Sequence, residues 1–195
     1  VVIRGWFPPG VRWELFNLCF ICLCQQLIVL AFSSPASLAA ASTAPLNALD
    51  GFAAALFVAL LLGEALADWQ MLAFQTEKYR RRAAGEPAGD AYARGFIETG
   101  LWAYSRHPNY FCEVSIWWAF YIFSIGAGAP LANWSLVGPV FLTCLFVLPR
   151  ASLDVTETLS SRKYPAFADY QRRVSRFFPL PPRDEGELAP LSAGD

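Results

Sequence analysis

Long apolar runs separated by short polar segments dominate the pattern of this chain. Each run is long enough, or apolar enough, to form a helix that crosses a membrane. They lie at about 15–32, 49–70, 109–127 and 134–148. A further stretch, about 155–178, sets aromatic residues at helical spacing among arginines, which predicts an amphipathic helix at the membrane surface. We therefore predict an all-α, polytopic transmembrane helical bundle of about four spans, forming one membrane domain over 1–182, with a disordered acidic tail over 183–195.

A few polar side chains interrupt these runs. Glu64 and Asp68 lie four residues apart near the end of the second run, so a helix places both on one face. Two carboxylates so placed repel each other unless a cation or polar ligand lies between them or one is protonated. The alternative is that both simply emerge among the lipid headgroups.

Composition and charge agree with a membrane protein. The chain has 195 residues, of which 55% are hydrophobic and only 16% are charged. The formal net charge of −1 gives no indication of a nucleic-acid partner. All 15 lysines and arginines fall at the N-terminus, in the 70–108 segment or in the C-terminal tail, and the two opposite loops have none. The positive-inside rule therefore places both ends on one side, cytoplasmic or matrix.

The five cysteines lie in or beside apolar runs, at Cys19, Cys22, Cys24, Cys112 and Cys144. The first three have no second ligand cluster, and thiolates in hydrocarbon need a compensating charge. We therefore predict no metal site and interpret these residues as small buried hydrophobes, with no disulfide framework.

The segment GLWAYSRHPNYFCE, residues 100–113, holds the only histidine and gathers several polar residues at the mouth of an apolar run. Pro108 suits the first turn of a helix that begins there. That helix would place Asn109 and Glu113 on one face, and its N-terminus beside Arg106 favours an anionic ligand. The alternative is an interfacial turn with an arginine at the headgroups and a buried, satisfied glutamate.

In this segment the chain resembles the membrane steroid 5-alpha-reductase-like family, in the small multi-span branch whose pattern is close to GLW-x-YSRHPNYFGE. WELFNLCFICLCQQLIVL, GEALADWQ and ETLSSRKYPAFADYQRRVSRFFP resemble three further segments of that family. The similarity covers roughly residues 11–181. The shorter pattern RHPxY is also found in isoprenylcysteine carboxyl methyltransferases, which bind S-adenosylmethionine there.

The resemblance implies a reductase fold of about seven helices with an NADPH pocket on the cytosolic face. Hydride would pass from the nicotinamide to the β-carbon of an enone, and no catalytic residue is assigned in this chain. Matching positions put Asn109 and Glu113 near the nicotinamide. Asp68 would lie at the cofactor, and Arg106 and the tail residues Lys163 and Tyr170 would lie near its phosphate or adenosine. The full set of candidate cofactor-binding residues is Asp68, Arg106, His107, Asn109, Glu113, Lys163 and Tyr170.

Three departures from the family pattern keep other functions open. Cys112 replaces the usual glycine, and Ala103 replaces a frequent arginine. The relatives also have about two more N-terminal helices, so the chain begins near what would be their third helix.

The expected function is an NADPH-dependent reductase of an unsaturated lipid, sterol or enone.

Two alternatives stand beside this reductase. One is a non-catalytic accessory subunit that packs against other membrane subunits, for example in the mitochondrial inner membrane. The other is an S-adenosylmethionine-dependent lipid or prenylcysteine methyltransferase. Membrane lipids are expected partners in each case. The endoplasmic reticulum, bacterial inner membrane and mitochondrial inner membrane are not distinguished by the sequence.

Overall fold

The computed structural model describes residues 10–87, 89–150 and 152–183, and this part of the chain contains helices and no strand. The helices are α1 (Val11–Ala41), α2 (Ala48–Ala84), α3 (Asp90–Ala93), α4 (Pro108–Gly126), α5 (Val137–Val147), α6 (Ser152–Lys163) and α7 (Phe167–Arg173). Single 3₁₀ turns precede α4 and α5, at Gly100–Ala103 and Trp134–Leu136. The predicted all-α fold is confirmed. The acidic tail predicted over 183–195 lies, apart from Arg183, outside the described residues.

Three helical stretches are long and apolar enough to cross a membrane: Val11–Ala41, Ala48–Ala84 and Trp134–Lys163. They indicate an integral membrane protein. The helix α4 covers most of the third predicted span but is not one of the three, so the predicted number of about four spans is approximate.

The helices α1 and α2 extend beyond the apolar runs that predicted them. The helix α1 continues to Ala41 with Pro35 inside it, and α2 carries the arginine run of 80–82 into its last turns. Gly85, at φ 68°, then ends α2 in the left-handed conformation that glycine adopts readily. The basic segment after the second span is therefore a helical extension.

The helices α2 and α4 pack along each other, and their far ends are joined by side-chain hydrogen bonds. Asn47 caps α2 and forms a capping box with Asp50. The Asn47 side-chain amide also donates to the carbonyl of Gly126 over 2.8 Å. These bonds anchor the start of α2 to the end of α4, at the end of the bundle away from the basic residues.

The helices α1 and α5 approach closely at Gly138. A Cβ placed there would lie 2.6 Å from the carbonyl oxygen of Ala31, well inside van der Waals contact. Gly138 is buried, as are Ser34 and Pro35 on α1. The absence of a side chain at this position therefore sets the distance between the two helices.

The C-terminal segment folds back over the start of α4. The N–H of Arg106 donates to the carbonyl of Ser175 over 2.9 Å, and the Ser105 hydroxyl donates to that of Phe177 over 2.8 Å. The N–H of Leu180 donates to the carbonyl of Tyr104 over 3.0 Å. These bonds hold residues 174–180 against the central motif, so the two distant segments form one structural unit.

The tail differs from the single amphipathic helix predicted over 155–178. It consists of α6 and α7, separated by a turn at 164–166, and an extended stretch follows α7. Pro165 explains the break, because it lacks an N–H and disfavours helical conformation at Tyr164. The break turns α7 towards Phe96, against which Phe167 and Tyr170 pack.

Candidate functional site

The helix α4 begins at Pro108, as the sequence predicts, and His107 is its N-cap residue. The backbone N–H of His107 donates to the Ser105 hydroxyl over 3.1 Å. Arg106 and His107 are both buried just before the helix. The turn therefore directs two polar side chains inward at the basic end of the bundle.

Arg106 is held by an ion pair with Glu157 of α6. Its Nε and Nη2 donate to the two carboxylate oxygens over 2.7 and 3.1 Å, and both side chains are buried. Its Nη1 donates to the carbonyls of Gln171 and Val174 over 2.7 and 2.6 Å. Four of the five guanidinium donors thus bind protein groups, and the charge is neutralised. This geometry suits a structural role better than the phosphate contact that the resemblance implies.

His107 shares the same carboxylate. Its Nε2 lies 3.2 Å from Glu157 Oε1, and its ring stacks on Tyr110 with centroids 5.6 Å apart. Gln171 donates to the other oxygen of Glu157 over 3.0 Å. Glu157 is therefore the centre of a buried polar network that joins α4, α6 and α7.

A second polar group lies between α2 and α4. The Asn109 amide donates to Asp68 Oδ1 over 2.9 Å, and the carboxyl of Glu64 interacts with Asp68 and Glu113. Glu113 accepts a hydrogen bond from the Trp117 indole over 2.9 Å. The structure thus brings together Glu64, Asp68, Asn109 and Glu113. The remaining side-chain oxygen of Asn109 is buried and has no hydrogen-bond partner.

A cavity of about 260 Å³ opens beside this group. Its walls come from α2, the 95–102 segment, the start of α4, α6 and the start of α7. More than half of the residues that line it are aromatic or apolar, and its polar groups come from Gln75, Arg106, His107, Asn109, Thr156, Ser160 and the tyrosine hydroxyls. An apolar cavity with a few polar groups is the usual form of a small-molecule site.

Tyr164 lies at the wall of this cavity between two lysines. Lys78 Nζ is 3.5 Å from the phenol oxygen and donates to the carbonyl of Gly95 over 3.0 Å. Burial raises the pKa of the Tyr164 phenol, but the ammonium groups of Lys163 and Lys78 outweigh it and hold the pKa below its usual value. A side chain at Gly95 would overlap the Tyr164 ring, so glycine at this position lets the ring enter the wall.

Tyr170 is almost completely buried at 2% exposure and donates to the carbonyl of Trp102 over 2.5 Å. Burial raises the pKa of its phenol. The Trp102 indole in turn donates to the carbonyl of Ala67 over 3.0 Å. Tyr170 therefore connects α7 to α2 through Trp102, and its hydroxyl is committed to this structural bond.

We expect Tyr170→Phe to lower the free energy of unfolding by about 1–2 kcal/mol, because the Trp102 carbonyl loses the partner it has in the structure. Thermal unfolding of the purified protein in a neutral detergent measures the change. Tyr79→Phe, at an exposed tyrosine, serves as the control and should change stability by less than about 0.5 kcal/mol. Equal effects of the two substitutions would contradict this role for Tyr170.

The seven predicted cofactor-binding residues fall into three groups. Arg106, His107, Asn109 and Tyr170 line the cavity. Asp68 and Glu113 do not line the cavity. Asp68 accepts a hydrogen bond from Asn109, and Glu113 accepts one from Trp117. Lys163 is exposed and does not line the cavity, and its ammonium group lies 5.1 Å from the centre of the Tyr164 ring.

The sequence-based set omitted residues that the structure places at the site. Glu157 is absent from the set although it pairs with Arg106 and His107, and so are Gln75 and Tyr164 of the cavity wall. The available signal for Glu157 was an acidic residue three positions after Asp154, at helical spacing, in an otherwise basic amphipathic segment. No pattern in the sequence indicates which basic residue it pairs with.

The fold and site define a helical membrane protein with a small, largely apolar cavity at its basic end. The model of the family described as "Protein of unknown function (DUF1295)" matches residues 8–174, and the chain belongs to this family.

Two curated relatives are similar to the chain. "Uncharacterized protein C594.04c" of Schizosaccharomyces pombe is 33% identical over 187 residues, which are 92% of this chain and 53% of that protein. "Nickel-cobalt-cadmium resistance protein NccN" of Alcaligenes xylosoxydans xylosoxydans is 31% identical over 83 residues, 43% of this chain and 35% of that protein. The aligned part is thus about half of the first relative and about a third of the second. No solved structure matches the chain.

Proposed function

We propose that the chain is a membrane-embedded, NADPH-dependent reductase of an unsaturated lipid, sterol or enone. The observation that carries the proposal is the buried, unpartnered side-chain oxygen of Asn109, a residue that lines the largely apolar cavity. A buried amide oxygen without a donor costs free energy, and a ligand N–H such as that of a carboxamide would supply the donor. The intact segment RHPNY, with Glu113 four residues beyond Asn109, also supports the resemblance on which the proposal rests.

The residues present fit one end of the cofactor. A volume of about 260 Å³ is slightly below that of most small-molecule sites, so the cavity suits a nicotinamide ring and its carboxamide and not the whole dinucleotide. Asn109 and Gln75 would orient the carboxamide. Trp102 and Phe96 would pack on the ring and exclude water. Bound NADPH would supply the hydride that reduces the carbon–carbon double bond.

The test is binding of NADPH to the purified chain in a neutral detergent, measured by isothermal titration calorimetry. We expect NADPH to bind and Asn109→Ala to weaken binding about tenfold, because one buried hydrogen bond is lost. Asn17→Ala removes an amide far along α1, outside the cavity, and should leave the affinity unchanged. Glu113→Ala removes a carboxyl that bonds Trp117 and is expected to have an intermediate effect.

S-adenosylmethionine is titrated in parallel. If S-adenosylmethionine binds and NADPH does not, the chain is better explained as a methyltransferase. If neither ligand binds, both enzyme hypotheses fail and the accessory-subunit hypothesis remains.

A further inference from the structure

A second cavity, of about 280 Å³, shares Arg106 with the first as a lining residue. It is formed by the end of α7 and the extended stretch that follows it. Its lining includes five arginines and no carboxylate: Arg106, Arg172, Arg173, Arg176 and Arg183. We call it the arginine cavity. Main-chain hydrogen bonds from Arg106 to Ser175 and from Arg183 to Arg173 hold its walls together.

The carboxylates around the arginine cavity do not fully compensate its charge. Arg172 pairs with Asp169 over 2.5 Å, Arg173 pairs with Glu98 over 2.7 Å, and Arg176 pairs with Asp154. Arg94, outside the cavity, also pairs with Glu98 and lies 3.8 Å from Asp169. Arg183 has no ion pair with any residue in the described part of the chain. Among the described residues, the five arginines of the cavity therefore outnumber the four carboxylates that pair with them, which favours an anion.

Two of the arginines that line this cavity also carry an unsatisfied donor. The Nε atoms of Arg172 and Arg176 are buried and have no hydrogen-bond partner. The ion-pair distance from Arg176 Nε to Glu157 is long, at 4.0 Å. A buried charged donor without an acceptor is costly, so these groups need an acceptor that the described residues do not supply.

Exposed apolar side chains lie at and beside one part of the arginine cavity. Leu180, which lines it, is 54% exposed, and the nearby Phe178 is 61% exposed. Exposed apolar residues beside clustered arginines are typical of a segment that enters the interfacial region of a membrane. The basic side of the bundle is also the side on which anionic lipids are concentrated.

We propose that the arginine cavity binds the phosphate of an anionic phospholipid whose acyl chains lie against Leu180 and Phe178. Arginine guanidinium groups bind phosphate oxygens through paired hydrogen bonds, which suits the unsatisfied donors. The chemistry recognised is a phosphate group, and the apolar rim favours a lipid as its source over a free anion. This inference does not depend on the proposed reductase function.

The test is native mass spectrometry of the full chain in dodecyl maltoside with equal amounts of dioleoyl phosphatidic acid and dioleoyl phosphatidylcholine. We expect phosphatidic acid to be retained preferentially. Arg183→Gln and Arg172→Gln should each weaken its binding about tenfold, whereas Arg183→Lys should retain most of it. Arg82→Gln removes an exposed charge outside the cavity and serves as the matched control, with no expected change.

Two further titrations distinguish the sources of phosphate. Inorganic phosphate should bind at least tenfold more weakly than phosphatidic acid, because it lacks acyl chains, and NADPH should not displace the lipid. Inorganic phosphate binding as tightly as the lipid, or NADPH displacing it, would overturn the lipid assignment. Equal retention of the two lipids would overturn it as well, as would equal losses in Arg82→Gln and Arg183→Gln.

Discussion

Replacing Glu157 with alanine is expected to lower the free energy of unfolding by about 3–5 kcal/mol, because it leaves a buried guanidinium without its counterion. Arg106 donates two hydrogen bonds to this carboxylate, and His107 and Gln171 also contact it. The arginine cannot lose its charge at neutral pH, so the cost falls on the folded state. Thermal unfolding in a neutral detergent, followed by circular dichroism, measures the loss.

Glu77 provides the control for this experiment. It also accepts hydrogen bonds from arginines, Arg80 and Arg81, but all three side chains are at least 31% exposed. Exposed ion pairs contribute little to stability because water screens them, so Glu77→Ala should be several times less destabilising than Glu157→Ala. Similar losses from the two substitutions would show that the Glu157 network does not hold α4, α6 and α7 together.

The second large effect is expected at Gly138, where α1 and α5 are closest. Gly138→Ala should destabilise the protein by about 1–3 kcal/mol, the usual cost of an overpacked interface. The new methyl group would meet the Ala31 carbonyl, which is main chain and can yield only if α1 moves. Gly138→Val should cost more than Gly138→Ala. The melting temperatures of the two variants in detergent, compared with that of the unmodified chain, measure this series.

Gly51→Ala is the matched control for Gly138. Gly51 lies inside α2, and a side chain placed there meets nothing within 4 Å. Alanine is favoured over glycine inside a helix by about 0.5–1 kcal/mol, so this variant should be slightly more stable than the unmodified chain. A loss of stability at Gly51 equal to that at Gly138 would mean that helix separation is not the cause.

The sequence pattern was sufficient for the fold class and for the start of α4. Apolar runs predict membrane helices because lipid requires main-chain groups to be satisfied within each element. Pro108 predicts a helix start because proline fits only the first turn. The placing of Asn109 and Glu113 on one helical face follows from the same periodicity, and the structure directs Asn109 towards Asp68 of α2.

The pairing partners in the site could not be predicted in the same way. Arg106 and Glu157 are separated by 51 residues, and helical periodicity contains no information about contacts over that distance. The tail shows the same limit, since Pro165 breaks the predicted helix and places Tyr164, and not Lys163, in the cavity wall. Helical periodicity contains no information about the substrate either, because function depends on the site and not on the fold.

The distance along the chain between Arg106 and Glu157 has a consequence for biosynthesis. Polypeptides emerge N-terminus first at roughly 5–20 residues per second, so the guanidinium precedes its carboxylate by about 3–10 seconds. During that interval the turn before α4 lacks both its counterion and residues 174–180, which cover it in the finished protein. The ribosome must therefore deliver the chain as far as Tyr170 before the cavity has all its walls, and a chain stalled before Glu157 would expose an unpaired cation.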